Sequence, residues 1–237
     1  AKQMLLRKLY GLHTIAISKF QLHGSASCIP VFRSDPCHAG FSRGFGDCLG
    51  DGGADAVVEG SLMITLLKHC DRVRSASRAQ LVNVIAPIMA EEHGPAWRQT
   101  TFYPFAEAAL HARGQAYAPA ISSPTIHTEA YGDVPAIDAV VTWDEQARTG
   151  LLLAVNRDAN TPHTLTIDLS GLPGLPGLGT LALGKAQLLH EDDPYRTNTA
   201  EAPEAVTPQP LGIAMNATGT CTATLPAISW ISVEFHG

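Results

Sequence analysis

At Gly114 the chain changes its period. Before it, Val57, Ser61, Ile64 and Leu67 recur at helical spacing, with Lys68 and His69 near the end. This pattern predicts an amphipathic helix from Asp55 to about Cys70. A short strand is expected over 72–79, then a loop through the apolar Leu81–Met89, whose Pro87 argues against a central strand. Pro104 opens a second predicted helix in its first turn, where a missing N–H costs nothing, and Arg113 with Gly114 ends it.

After Gly114 the period becomes two, punctuated by turns, over 136–143, 151–156, 164–169, 180–189, 221–225 and 230–235. Ile231, Val233 and Phe235 share one strand face, and Leu165, Ile167 and Leu169 share another. The expected fold is therefore mixed: the end of a (β/α)8 barrel, its last repeat, followed by an antiparallel, jelly-roll-like β-sandwich. At 237 residues a whole barrel plus a sandwich does not fit. The expected domains are 55–115 for the barrel repeat and 116–237 for the sandwich.

Residues 1–54 are assigned to neither domain. Residues 1–50 hold six basic and two acidic groups, three of the five cysteines and no Glu, which sets them apart from a chain whose net charge is −6. The glycines at 44, 46, 50, 52 and 53 fit a linker and fit an out-of-frame translation equally.

Acidity argues against a nucleic-acid partner, and no window reaches the roughly 18 apolar residues of a membrane span. Five cysteines without CxxC spacing signal neither a zinc site nor a disulfide framework, and favour a reducing, cytoplasmic setting. The ten His are scattered without ligand spacing, so no metal and no cofactor are expected. Glu91-Glu92-His93 and Asp192-Asp193 read as solvated turns before they read as acid–base pairs. Trp143 and Trp230 are the two aromatic side chains from which a sugar-stacking face would have to be built, although the alternation around Trp230 favours the core.

Four runs stand in order between Ile64 and Phe105: Thr65-Leu-Leu-Lys-His69, Asp71-Arg-Val73, Ala79-Gln-Leu-Val-Asn-Val-Ile-Ala-Pro-Ile88 and Gly94-Pro-Ala-Trp-Arg-Gln-Thr100. Beyond them come Asp133-Val-Pro135, Ala154-Val-Asn-Arg157, Asn198-Thr199, Pro203, Val206, Pro208 and Ser229-Trp230. This series closely resembles the last barrel repeat and C-terminal sandwich of glycoside hydrolase family 51, the α-L-arabinofuranosidases, over about 55–235.

The resemblance implies retaining hydrolysis of terminal arabinofuranosyl groups from arabinan, arabinoxylan or their oligosaccharides. Two glutamates about 5 to 5.5 Å apart do this chemistry. In the family the acid/base stands in an Asn-Glu pair and the nucleophile in an Asp-Glu-Trp-Asn run, and neither occurs here. The stretch Thr14–Gly24, where the nucleophile strand is expected, has no acidic residue. The chain alone is therefore expected to be inactive. Gln80 matches the family glutamine that hydrogen-bonds the arabinose ring, and an amide both donates to and accepts from sugar hydroxyls. Trp97 and Arg98 read as structural, the Trp packing under a loop and the Arg bridging a carboxylate.

Glu59, Ser75, Ser77 and Arg78 stand where the family carries apolar residues. Intact members are typically cytoplasmic homo-oligomers. The alternative reading is a non-catalytic carbohydrate-binding or structural β-sandwich module.

Overall fold

The computed structural model describes residues 14–22 as a backbone path and residues 52–77, 80–172 and 181–237 in full. Residues 1–13 and 23–51, with Cys28, Cys37 and Cys48, lie outside the described residues, as do Arg78, Ala79 and 173–180.

Helix α1 (Gly53–Lys68) starts where the Asp55 carboxylate accepts a 2.9 Å hydrogen bond from the Gly52 N–H, which satisfies a donor the helix itself cannot. Helix α2 (Phe102–His111) begins two residues before the expected Pro104. The proline still lies in the first turn, where no intrahelical N–H is needed. Gly114 follows with φ +78, and a Cβ there would meet the Trp143 carbonyl oxygen at 2.1 Å, so only glycine makes this exit.

The strands are β1 (Thr14–Leu22), β2 (Ile88–Ala90), β3 (Ala96–Arg98), β4 (Gln115–Ile121), β5 (Thr125–Thr128), β6 (Gly132–Pro135) and β7 (Ile137–Asp144). They continue with β8 (Thr149–Asn156), β9 (His163–Asp168), β10 (Ala182–His190), β11 (Gln209–Pro210), β12 (Ala214–Met215), β13 (Thr220–Leu225) and β14 (Ser229–His236). Ten of them form one sheet in the order β11-β10-β14-β8-β7-β4-β1-β9-β13-β12, antiparallel throughout except for β1 beside β9. β1, from the stretch expected to belong to neither domain, lies between β4 and β9.

Alternation along the strands divides the interior in two. Ile137, Ala139, Val141 and Trp143 of β7, with Ile231, Val233 and Phe235 of β14, face Leu165, Ile167, Cys221, Ala223 and Leu225 across the sandwich. Val140 of β7, Leu151, Leu153 and Val155 of β8 and Trp230 of β14 face the other way, onto Val57, Ile64 and Leu67 of α1 and Ala108 of α2. β7 and β8 are thus covered on both faces, which is why their sequences run almost continuously apolar.

Two expectations are corrected. Residues 72–77 carry no strand, whereas Leu81–Pro87 is the expected loop, with one isolated bridge, Val82 to Ile88, before Ile88–Ala90 pairs with β3. A barrel strand needs ladder partners on both sides, and none stands beside residues 72–77 among the described residues. Trp230 is buried, as its alternation favoured, and Trp143 is buried too, stacked on Phe235 at 5.7 Å between ring centroids, so neither offers a sugar the surface that the alternative reading requires. Cys221 is a buried free thiol, whereas Cys70 is disulfide-bonded, although the cysteine count and spacing signalled no disulfide framework.

Candidate functional site

Gln80 is the residue that the resemblance associates with substrate, while Trp97 and Arg98 are expected to be structural. Gln80 is exposed and opens an apolar loop in which Leu81, Val82, Val84 and Ile85 are also exposed. Asn83 shapes this loop. Its N–H donates to the Ile88 carbonyl at 2.8 Å, its carbonyl accepts from Ala86 N–H at 3.0 Å, and its side-chain Oδ1 accepts from Ala90 N–H at 2.7 Å. Asn83 and Val84 both take left-handed backbone conformations, φ 62 and φ 60, which asparagine tolerates and a β-branched valine does not.

The β2–β3 hairpin behind the loop is tied to the sandwich by Asn198. The buried amide nitrogen of Asn198 donates to the Arg98 carbonyl at 2.8 Å and to the Val206 carbonyl at 2.9 Å, while its Oδ1 accepts from Val206 N–H at 2.7 Å. Trp97 completes the joint, its Nε1 donating to the Asn198 carbonyl at 3.1 Å. Trp97 thus packs against a loop as expected. The Arg98 guanidinium lies 5.0 Å from the Phe102 ring centroid and pairs with no carboxylate among the described residues, so the expected carboxylate bridge is not formed.

Asn156 does the same work at the other end of the sandwich. Its amide nitrogen donates to the carbonyls of Thr161, Leu225 and Pro226, and its Oδ1 accepts from Asp158 N–H. Both asparagines belong to the runs that carried the resemblance. Their chemistry is loop fixation, which sequence alone could not assign because the carbonyls of Arg98, Leu225 and Pro226 that they hold lie 69 to 100 residues away along the chain.

The alternative acid–base candidates stay apart from any site. Glu91, Glu92 and His93 form an exposed turn with His93 at φ 56, and Glu92 and His93 approach only to 3.8 Å in full solvent. Asp193 Oδ1 accepts from Tyr195 N–H at 3.0 Å, an Asx turn, as expected of Asp192-Asp193. No helix of the described residues is long and apolar enough to cross a membrane.

Fold and loop geometry together define a β-sandwich domain with two helices packed on one of its faces. Residues 53–229 match the family of α-L-arabinofuranosidase C-terminal domains, and the chain belongs to that family. The chain is 47% identical over 184 residues to the exo-α-(1→6)-L-arabinofuranosidase of Bifidobacterium longum, covering 76% of this chain and 34% of the relative. It is 43% identical over 180 residues to the intracellular exo-α-(1→5)-L-arabinofuranosidase of Streptomyces lividans, covering 76% of this chain and 26% of the relative. Among solved structures, AbfB, a family 51 α-L-arabinofuranosidase from Bifidobacterium longum, is 95% identical with a TM-score of 0.74, over 78% of this chain and 35% of that one. The family 51 enzyme from Thermotoga petrophila shares the fold at 20% identity and TM-score 0.66. The chain spans about a third of the length of the relatives it matches.

Proposed function

We propose that this chain is the C-terminal third of a retaining family 51 α-L-arabinofuranosidase, contributing the last barrel repeat (about 55–115), the sandwich (116–237) and one sugar-binding residue, Gln80. The 95% identity to AbfB over only 35% of that enzyme carries this reading. The whole enzyme would remove terminal arabinofuranosyl groups from arabinan, arabinoxylan or their oligosaccharides, acting in the cytoplasm as a homo-oligomer. The neighbouring relatives described as intracellular support that setting.

In this reading the chain does not hydrolyse alone. Retaining chemistry needs two carboxyl groups facing each other across the sugar, and the sequence holds neither the Asn-Glu pair nor the Asp-Glu-Trp-Asn run. The apolar side chains exposed on α1 (Val58 at 61%, Leu62 at 48%) and in the loop after Gln80 (Val84 at 76%) are surfaces that further barrel repeats would cover. The sandwich-module alternative loses support because Trp143 and Trp230 are buried.

The test is hydrolysis of an aryl α-L-arabinofuranoside. The purified chain is expected to show no turnover above background, and a whole enzyme completed with the missing repeats is expected to turn over and to lose activity on Gln80→Ala. Turnover by the chain alone that disappears on Gln80→Ala would overturn the reading.

A further inference from the structure

We propose that Glu107, His111 and Glu234 form a surface site for one divalent transition-metal ion of the zinc type, pinning α2 to the outer face of the sandwich. The site stands apart from Gln80 and owes nothing to the arabinofuranosidase reading. Its geometry follows from two periodicities. Glu107 and His111 are four residues apart on α2 and so lie on one helix face. Trp230, Ser232 and Glu234 alternate with the core-facing Ile231, Val233 and Phe235 of β14, so Glu234 lies on the face that carries Trp230 toward the helices.

One ligand atom from each of Glu107, His111 and Glu234 lies within 4.8 Å of the other two. Donors around a tetrahedral zinc stand about 3.4 Å apart, given bonds of about 2.0–2.2 Å. His111 is exposed and Glu234 half-buried, so both side chains have the freedom to close that gap.

The second observation that points to a cation is the state of Glu107. It is 8% exposed, and its Oε1 is fully shielded from solvent without a hydrogen-bond partner. Ser232 Oγ faces the same carboxyl group, yet it too is buried with no hydrogen bond of ordinary geometry. A shielded carboxylate oxygen without a partner is costly, and a bound cation removes that cost. Burial pushes the Glu107 carboxyl above the usual carboxylate range, Glu234 adds to the rise, and His111, Lys185 and Ser232 oppose it. Lys185 is near enough to act on Glu107 electrostatically but forms no ion pair with either carboxylate among the described residues. One imidazole and two carboxylates, with water completing the sphere, is a donor set suited to zinc or cobalt and poor for calcium, which takes six to eight oxygens. No spacing in the sequence announces the site, because Glu234 comes from the last strand and the helix pair from well before it.

The test uses the untagged full chain, stripped with a chelator. Cobalt(II) is titrated while its visible d–d bands are followed, and zinc is titrated against a chromogenic chelator, with melting temperature as a second readout. Saturable binding of one ion is expected, with tetrahedral-type cobalt bands and a rise in melting temperature of about 3 °C or more at saturation. His111→Ala and Glu234→Gln should each weaken binding at least about fivefold, whereas His127→Ala should not. His111 is exposed, so that variant tests the site without threatening the fold. Absence of saturable binding below millimolar metal, or a loss of less than about fivefold in both variants, would overturn the proposal.

Discussion

Gly60 lies directly on the indole of Trp230: a Cβ built on the glycine would fall 2.4 Å from Trp230 Cδ1 and 3.1 Å from Val155 Cγ1. Glycine inside a helix ordinarily costs about 1 kcal/mol relative to alanine, so here it exchanges helix propensity for close approach to the sheet. Trp230 is 1% exposed, enclosed between α1 and the sheet. Gly60→Ala should therefore destabilise the chain by about 1–3 kcal/mol despite its better propensity, read as a lowered urea midpoint with an unchanged slope. A raised midpoint would show that α1 does not seat on β14 in this way.

Asn198 is predicted to be the joint whose loss frees the β2–β3 hairpin. Its side chain makes three hydrogen bonds, to Arg98 and Val206, the two to Val206 buried, and removing the amide leaves two carbonyls and one N–H without partners. Asn198→Ala should cost about 2–4 kcal/mol, and the isosteric Asn198→Asp nearly as much, because a carboxylate accepts but cannot donate to the two carbonyls. Thermal unfolding of both variants checks this; an Asp variant as stable as the parent would refute the donor assignment.

The sandwich was readable from sequence because a strand with one face on a core writes its period into its residues: Ile231, Val233 and Phe235 appear at the expected face. Helix α1 was readable within two residues at each end for the same reason. What was not readable depends on neighbours. The strand expected over 72–79 is a barrel strand, but a parallel strand exists only between partners, and residues 72–77 carry no ladder. Trp143 offered no sign of its burial, since its local pattern suits either face of β7 and only the stacking partner Phe235, from the last strand, decides. Gln80 was legible only through the resemblance; nothing in its local spacing distinguishes a sugar ligand from a loop amide.

Val84 offers a way to stabilise the loop. Its φ of 60 places a β-branched side chain in the left-handed region, and with 76% of it exposed there is little packing to lose. Val84→Asn should raise stability by about 1 kcal/mol and lower the chain's tendency to associate, because asparagine tolerates this conformation and removes an apolar group from the surface. Denaturant unfolding and light scattering would check both effects, and a destabilised variant would mean that the loop takes another conformation in solution.

Cys221 makes the sandwich interior chemically observable. Its thiol is 1% exposed within the core of β9, β13 and β14, and burial pushes its pKa up to about 11. The thiolate is the reactive form, so the native chain should leave Cys221 unmodified by a thiol reagent at pH 8 and expose it only on unfolding. The same shift sets a pH dependence with a definite sign. Because the folded state holds the proton more tightly than the unfolded state, this contribution to stability is fully present below the ordinary thiol pKa and is lost as pH rises toward about 11. Cys221→Ala should flatten that alkaline decline at the cost of a small cavity, about 1 kcal/mol at neutral pH. Rapid native-state modification at Cys221, or an alkaline decline unchanged by the substitution, would show that the two leaves of the sheet do not close over this residue.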